Sequence, residues 1–133
     1  MFRLLVNLSG RKRDQEGLYG ENMGNISRDK GKRGEREWAK ICRDNGYECR
    51  RTSQYCGKTG EAADVIGLPG VHIEVKRVER LNIENAMSQA VGDSSNGEIP
   101  IVAHRKNNCP WFVTMLAEDW FNIYREWEAG QNV

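Results

Sequence analysis

Asp64 is followed, after nine residues, by Glu74-Val75-Lys76. The two carboxylates and the lysine fall on what reads as a short β-hairpin. Its strands are 63–68 and 71–76, joined through Pro69-Gly70. This set suits chemistry on a phosphodiester. Mg2+ prefers hard oxygen donors and is usually held by one or two carboxylates, with water and phosphate oxygens completing its shell. Such an ion stabilises developing charge and lowers the pKa of a bound water. A lysine beside it can orient that water or support the charged phosphorane. On an exposed edge strand the same three side chains would form a solvated ion-pair cluster. The elements around them therefore decide between the two readings.

The hairpin register is the first constraint. Val71, Ile73 and Val75 alternate with His72, Glu74 and Lys76, giving the second strand an apolar and a polar face. A two-residue Pro69-Gly70 loop would oppose Asp64 with Val75 and turn Asp64 into the apolar face. A three-residue connection, Leu68 to Gly70, opposes it with Glu74, with Cβ atoms about 4.5–5.5 Å apart. A bulge beside Asp64 has the same effect. A shared metal requires one of these two solutions. His72 reads as a solvent-facing strand histidine, with contact to a scissile phosphate as the alternative.

A first helix is expected from Ser27 to Asn45. Ser27 or Asp29 would cap it and Gly46 would stop it in a left-handed conformation. Gly31 and Gly34 weaken its first turns. At 100° per residue Glu35 falls inside the arc of Trp38, Ala39 and Cys42, while Arg33, Glu37, Lys40 and Asp44 lie opposite. A carboxylate facing a core is costly. A metal, a buried partner or a cleft would each satisfy Glu35, and so would a fraying first turn. Tyr47 to Thr52 reads as a strand, followed by a loop over Ser53 to Ala62. Asn82 can cap a second helix reaching Asp93 or Ser95, with Ile83, Ala86, Met87 and Ala90 as its apolar stripe and Gln89 beside it. Strands follow at Ile99 to His104 and Trp111 to Thr114. The strand-helix-strand order implies a right-handed crossover to a parallel neighbour. Trp120, Ile123, Tyr124 and Trp127 have helical spacing and read as the core face of a terminal helix.

The 133 residues suit one domain with a single modest core. Residues 1–26 lack periodicity and read as a mobile extension before a domain at 27–133, with Met23 a plausible native start. The formal charge is +1, but residues 28–58 carry ten Lys/Arg against five Asp/Glu, and residues 59–133 six against eleven. The basic segment can track phosphates or simply be a solvated helix face. Arg50, Arg51 and Lys58 are its candidates for phosphate contact; His104-Arg105-Lys106 is a further strand end that could touch a backbone or form a surface turn. Cys42, Cys49, Cys56 and Cys109 contain no C-x-x-C pair and read as reduced thiols of a cytoplasmic protein. No stretch reads as a membrane span or a secretory signal.

In this order of elements, the chain resembles the PD-(D/E)xK nuclease superfamily, with the archaeal-type and phage Holliday junction resolvases as the nearest likeness. The resemblance covers roughly residues 30–125. It is carried by Gly34-Glu35-Arg36, Gly46-Tyr47, Ala63-Asp64-Val65-Ile66, Ile73-Glu74-Val75-Lys76-Arg77 and the later Gln89. It implies an α/β, restriction-endonuclease-like core: a central mixed β-sheet flanked by helices in the order α-β-β-β-α-β-β-α. It also implies that Asp64, Glu74 and the Val75 carbonyl hold Mg2+, which Mn2+ can replace. Glu35 would lie near the metal, Lys76 would be the catalytic lysine, and Gln89 would contact water or phosphate. Arg36 and Arg77, within the matching motifs, join the DNA-binding candidates. Ala63 stands where many members have Pro, and the loop after Thr52 lacks the basic run of some resolvases.

The function expected is Mg2+-dependent endonucleolytic cleavage of branched DNA, foremost junction resolution by a homodimer, since a two-fold junction is cut symmetrically by two-fold sites. The alternatives are a nuclease for flaps, ends or single strands, and a catalytically idle DNA-binding subunit of the same fold. A phage origin is implied by the resemblance alone.

Overall fold

The computed structural model describes residues 15–52 and 63–131, with side chains from Asp29 onward. The chain divides into two compact units, residues 1–30 and 31–133, and every contact below lies within the second. Among the described residues the elements are α1 (Gln15–Asp44), β1 (Arg50–Arg51), β2 (Val65–Ile66), β3 (Val71–Arg77), α2 (Ile83–Asp93), β4 (Ile99–Arg105), β5 (Phe112–Met115) and α3 (Ala117–Gln131). This is the expected order.

The first helix starts at Gln15, not at Ser27. Ser27 and Asp29 are therefore interior residues rather than caps, and residues 15–26 of the expected extension are helical. No proline interrupts residues 15–44, so scattered glycines are tolerated. The far end is as expected. Gly46 has φ +95, Tyr47 N–H donates to the Cys42 carbonyl and Gly46 N–H to that of Arg43. This paired closure caps two carbonyls of the last turn. The strand expected over Tyr47 to Thr52 contracts to Arg50–Arg51, because its partner β2 is itself two residues long.

The five strands form one sheet in the order β1-β2-β3-β4-β5. β3 and β4 are parallel, with Glu74 beside Val102 and Lys76 beside His104; the other pairs are antiparallel. The connection between the parallel strands is α2, capped by Asn82 Oδ1, which accepts from Asn85 N–H at 3.0 Å. One face of the sheet packs Val65, Ile73, Val75, Ile101 and Ala103 with Trp38, Ala39 and Cys42 of α1. On the other, Val102 packs with Ala86, Met87 and Ala90 of α2. β3 is thus covered on both sides.

Two glycines make this packing possible. A Cβ on Gly34 would stand 2.6 Å from Arg77 Cβ, and one on Gly67 would stand 2.3 Å from the Glu48 carbonyl oxygen. The second clash is with backbone and cannot relax by a rotamer change. Gly67 also has φ +124, a conformation that side chains strain.

The terminal helix departs from expectation. None of its residues is buried. Trp120, Ile123, Tyr124 and Trp127, expected as core, are exposed, as is Phe121 beside them. Helical spacing shows that a face is apolar; it does not supply an element to cover that face.

Candidate active site

Val65 pairs with Ile73, the register of the three-residue connection. The Asp64 N–H also donates to the Ile73 carbonyl at 2.9 Å. Two successive residues thus face one on β3, as in a bulge. Asp64 is released from regular alternation and its carboxylate turns onto β3, where Oδ2 accepts from Val75 N–H at 2.8 Å. In an extended strand a residue's C=O points to the same side as its N–H. The Val75 carbonyl therefore also opens toward Asp64.

Glu74 is 1% exposed. Burial, the charge of Asp64 and the hydrogen bond shared by the two acids push its carboxyl up to about 8, against the opposing pull of Lys76. Glu35 is also raised, first by burial and also by Asp64, although the Arg51 guanidinium opposes the shift. Asp64 is the residue that both other acids sense. Lys76 Nζ donates to Gln89 Oε1 at 3.2 Å, so the crossover helix holds the lysine on the Glu74 face. His104, the register neighbour of Lys76, borders a cleft of about 210 Å³ with Val78, Leu81, Lys106 and Phe112.

Several sequence expectations change here. His72 is buried, not solvent-facing, and its Nε2 lies 2.9 Å from Glu74 Oε1. Strand parity had placed it on the Glu74 face; the cover supplied by α2 was not readable from parity. Arg77, expected at DNA, is largely buried, with Nε 3.3 Å from Glu37 Oε1. Glu37, expected on the outer face of α1, also accepts from Arg105 Nη1 at 3.1 Å. Arg77 is thus a packing residue between α1 and the strand ends. Arg51 donates to Glu35, leaving its guanidinium partly engaged. Arg36 and Arg50 are exposed. Lys58 and Cys56 lie outside the described residues.

Among the described residues no cluster of three or more His, Cys, Asp and Glu side chains could hold a metal ion. The donor set here is different: two carboxylates and a main-chain carbonyl. Those hard oxygens fit a divalent cation that keeps part of its water shell. The close Asp64–Glu74 pair also fits, since two carboxylates at this spacing are hard to ionise together without a cation. No helix among the described residues is long and apolar enough to cross a membrane.

Comparison with known proteins adds three findings. No curated protein matches the sequence. A solved structure of Hjc, a Holliday junction resolvase from the archaeal hyperthermophile Archaeoglobus fulgidus, aligns with a TM-score of 0.45 and 22% identity over 65% of this chain and 72% of that one. Residues 26–132 match the family model described as "Phage putative PDDEXK endonuclease". The match spans most of the chain, including the hairpin carboxylates, the lysine and the glutamine described above, and the chain belongs to this phage PDDEXK endonuclease family.

Proposed function

We propose that the chain is a Mg2+-dependent endodeoxyribonuclease acting on branched DNA, foremost on four-way junctions, and that it works as a homodimer. The observation that carries the reading is the facing of Asp64 and Glu74 beside the Val75 carbonyl, with Glu74 buried and its carboxyl raised to about 8. A divalent cation held by Asp64, Glu74 and the Val75 carbonyl would supply a water of lowered pKa and stabilise charge at phosphorus.

The chain's own residues supply the rest. Asp64 is fixed by the Val75 N–H, which sets its oxygen beside Glu74. His72 holds one oxygen of Glu74. Lys76, steadied by Gln89, places a positive charge on the same face, where it can orient a nucleophilic water or meet a phosphate oxygen. Glu35, on α1, feels the charge of Asp64 and is paired with Arg51. Arg36 and Arg50 are free to meet flanking phosphates. Membership of the endonuclease family supports hydrolysis; the branched substrate and the choice of Mg2+ are our extension.

The test is incubation with labelled four-way junction, flap, duplex and single strand, in Mg2+, Mn2+ or EDTA. Symmetric cuts in the junction with Mg2+ are expected. Preference for flaps or single strands would transfer the reading to a repair or replication nuclease. Binding without cleavage in either metal would make the chain an idle DNA-binding subunit.

A further inference from the structure

We infer that the aromatic face of α3 is the surface on which a second copy of this chain docks. The inference gives the proposed homodimer its interface, and it rests on that reading for the identity of the partner; the need for a cover stands on the helix itself.

The helix is 15 residues long and buries none of them. Isolated helices of this length are marginal in water, and tertiary packing normally supplies their stability. Trp120, Ile123, Tyr124 and Trp127 fall within about 100° of arc. Their rings already stack along the helix. Trp120 and Tyr124 are 5.4 Å apart at 17°, and Tyr124 and Trp127 are 5.5 Å apart. Phe121 extends the face edge-on to Trp120 at 5.0 Å. No charged residue lies within the arc of Trp120, Ile123, Tyr124 and Trp127, while Glu128 falls at its border beside Phe121. Arg125 is turned to the side and bonds Asn122.

Size and charge choose the occupant. Trp120, Phe121 and Trp127 are 48%, 51% and 57% exposed. An aromatic can bury about 150–250 Å², so each leaves on the order of 100 Å² in water. With Leu116, Ile123 and Tyr124 the face amounts to roughly 500 Å². At the about 60% apolar share of an interface, that corresponds to roughly 800 Å² per partner, the size of a standard stable contact. A nucleic-acid strand stacking on these rings would need a positive groove to track its backbone. The helix instead carries Glu118, Asp119, Glu126 and Glu128 against Arg125. A self-complementary apolar patch suits a two-fold pair of identical chains.

The test is sedimentation of the full chain with hydrogen exchange on the same samples. The expected results are a dimer of the 15.2 kDa chain at micromolar concentration, α3 amides whose protection rises with concentration, and at least a tenfold weaker dimer for Trp120→Glu/Trp127→Glu. A monomer throughout would overturn the inference. So would a dimer whose α3 amides exchange freely, which needs no variant to observe. Protection of α3 that appears only when single-stranded DNA is added would overturn it in favour of base stacking. These readouts are independent of cleavage. A monomer that still cuts DNA refutes the interface alone, whereas a dimer through α3 that cuts nothing refutes the nuclease reading alone.

Discussion

β3 and α3 are both written with regular apolar periodicity, yet they meet opposite fates. β3 has helices over both faces, and even its polar residues His72 and Glu74 are buried. α3 has a large apolar side chain at every expected position and buries none. The periodic pattern specifies a face in each case. Whether that face is covered depends on elements elsewhere in the chain or outside it. Where cover comes from within, it acts on polar groups as well: it takes Glu74 from water, raises its carboxyl, and makes a neighbouring cation favourable. The enclosed strand becomes a candidate for chemistry and the uncovered helix a candidate for assembly.

The contrast can be broken most sharply at the enclosed strand. Asp64→Asn or Glu74→Gln is expected to lower single-turnover cleavage by about a hundredfold or more, the scale of losing one group that stabilises transition-state charge. Far-UV circular dichroism and DNA affinity should change little. Near-normal cleavage by either variant would remove the metal site from this hairpin.

Next in size is a pair of glycine substitutions. Gly67→Ala places a methyl against the Glu48 carbonyl at a positive φ, and should cost about 2 kcal/mol or more in urea unfolding. Gly130→Ala on α3 meets nothing within 4 Å, and should be neutral or gain up to about 1 kcal/mol from helix propensity. Equal effects would mean that the two regions are not packed as differently as they look.

The enclosed acid should also leave a pH signature in EDTA. Burial and the neighbouring Asp64 push the Glu74 carboxyl up to about 8 from its ordinary 4.5, so the folded state binds more protons than the unfolded state between those values. Metal-free stability is then greatest below about pH 4.5, as far as this residue is concerned, and falls as pH rises toward 8. Thermal unfolding of wild type in EDTA should drop across that window, while Glu74→Gln should lack this component. Mg2+ should restore wild type most at the alkaline end. A wild-type curve that tracks the glutamine variant would show that Glu74 is not held protonated.

The smallest expected effect separates two adjacent arginines. Arg50 is exposed, whereas Arg51 is paired with Glu35. Arg50→Ala should reduce the salt dependence of DNA binding by about one phosphate. Arg51→Ala should alter it less and disturb Glu35 instead. Identical slopes for the two variants would contradict that distinction.

Much of the interior was legible in the sequence because its signals are local. Gly46 ends the helix, Asn82 caps the next, and the alternation of β3 fixes which residues share a face. The requirement that Asp64 face Glu74 was enough to choose the hairpin register. The parts that were not legible depend on distant neighbours. His72 looks solvent-facing until α2 lies over it. Arg77 looks free until Gly34 lets α1 approach and Glu37 meets the guanidinium. The terminal aromatics look like core because periodicity carries no information about who provides the cover. The length of α1 was missed for a different reason: its glycines suggested an end, but a long run without proline continued through them.

The Glu37 bridge to Arg105 has a consequence for the order of events during synthesis. Its partners are 68 residues apart in sequence, and β3 acquires its parallel neighbour only through residues 99–105. Contacts of such long separation form late, because the loop must close before they repay its entropy. A nascent chain that has released the hairpin already contains Asp64, Glu74, Lys76 and Arg77, but not the strand that fixes β3 or Arg105, the second arginine that meets Glu37 of α1. The arrangement of acids and lysine thus awaits the last third of the chain, and a truncated product would carry the motif without the geometry.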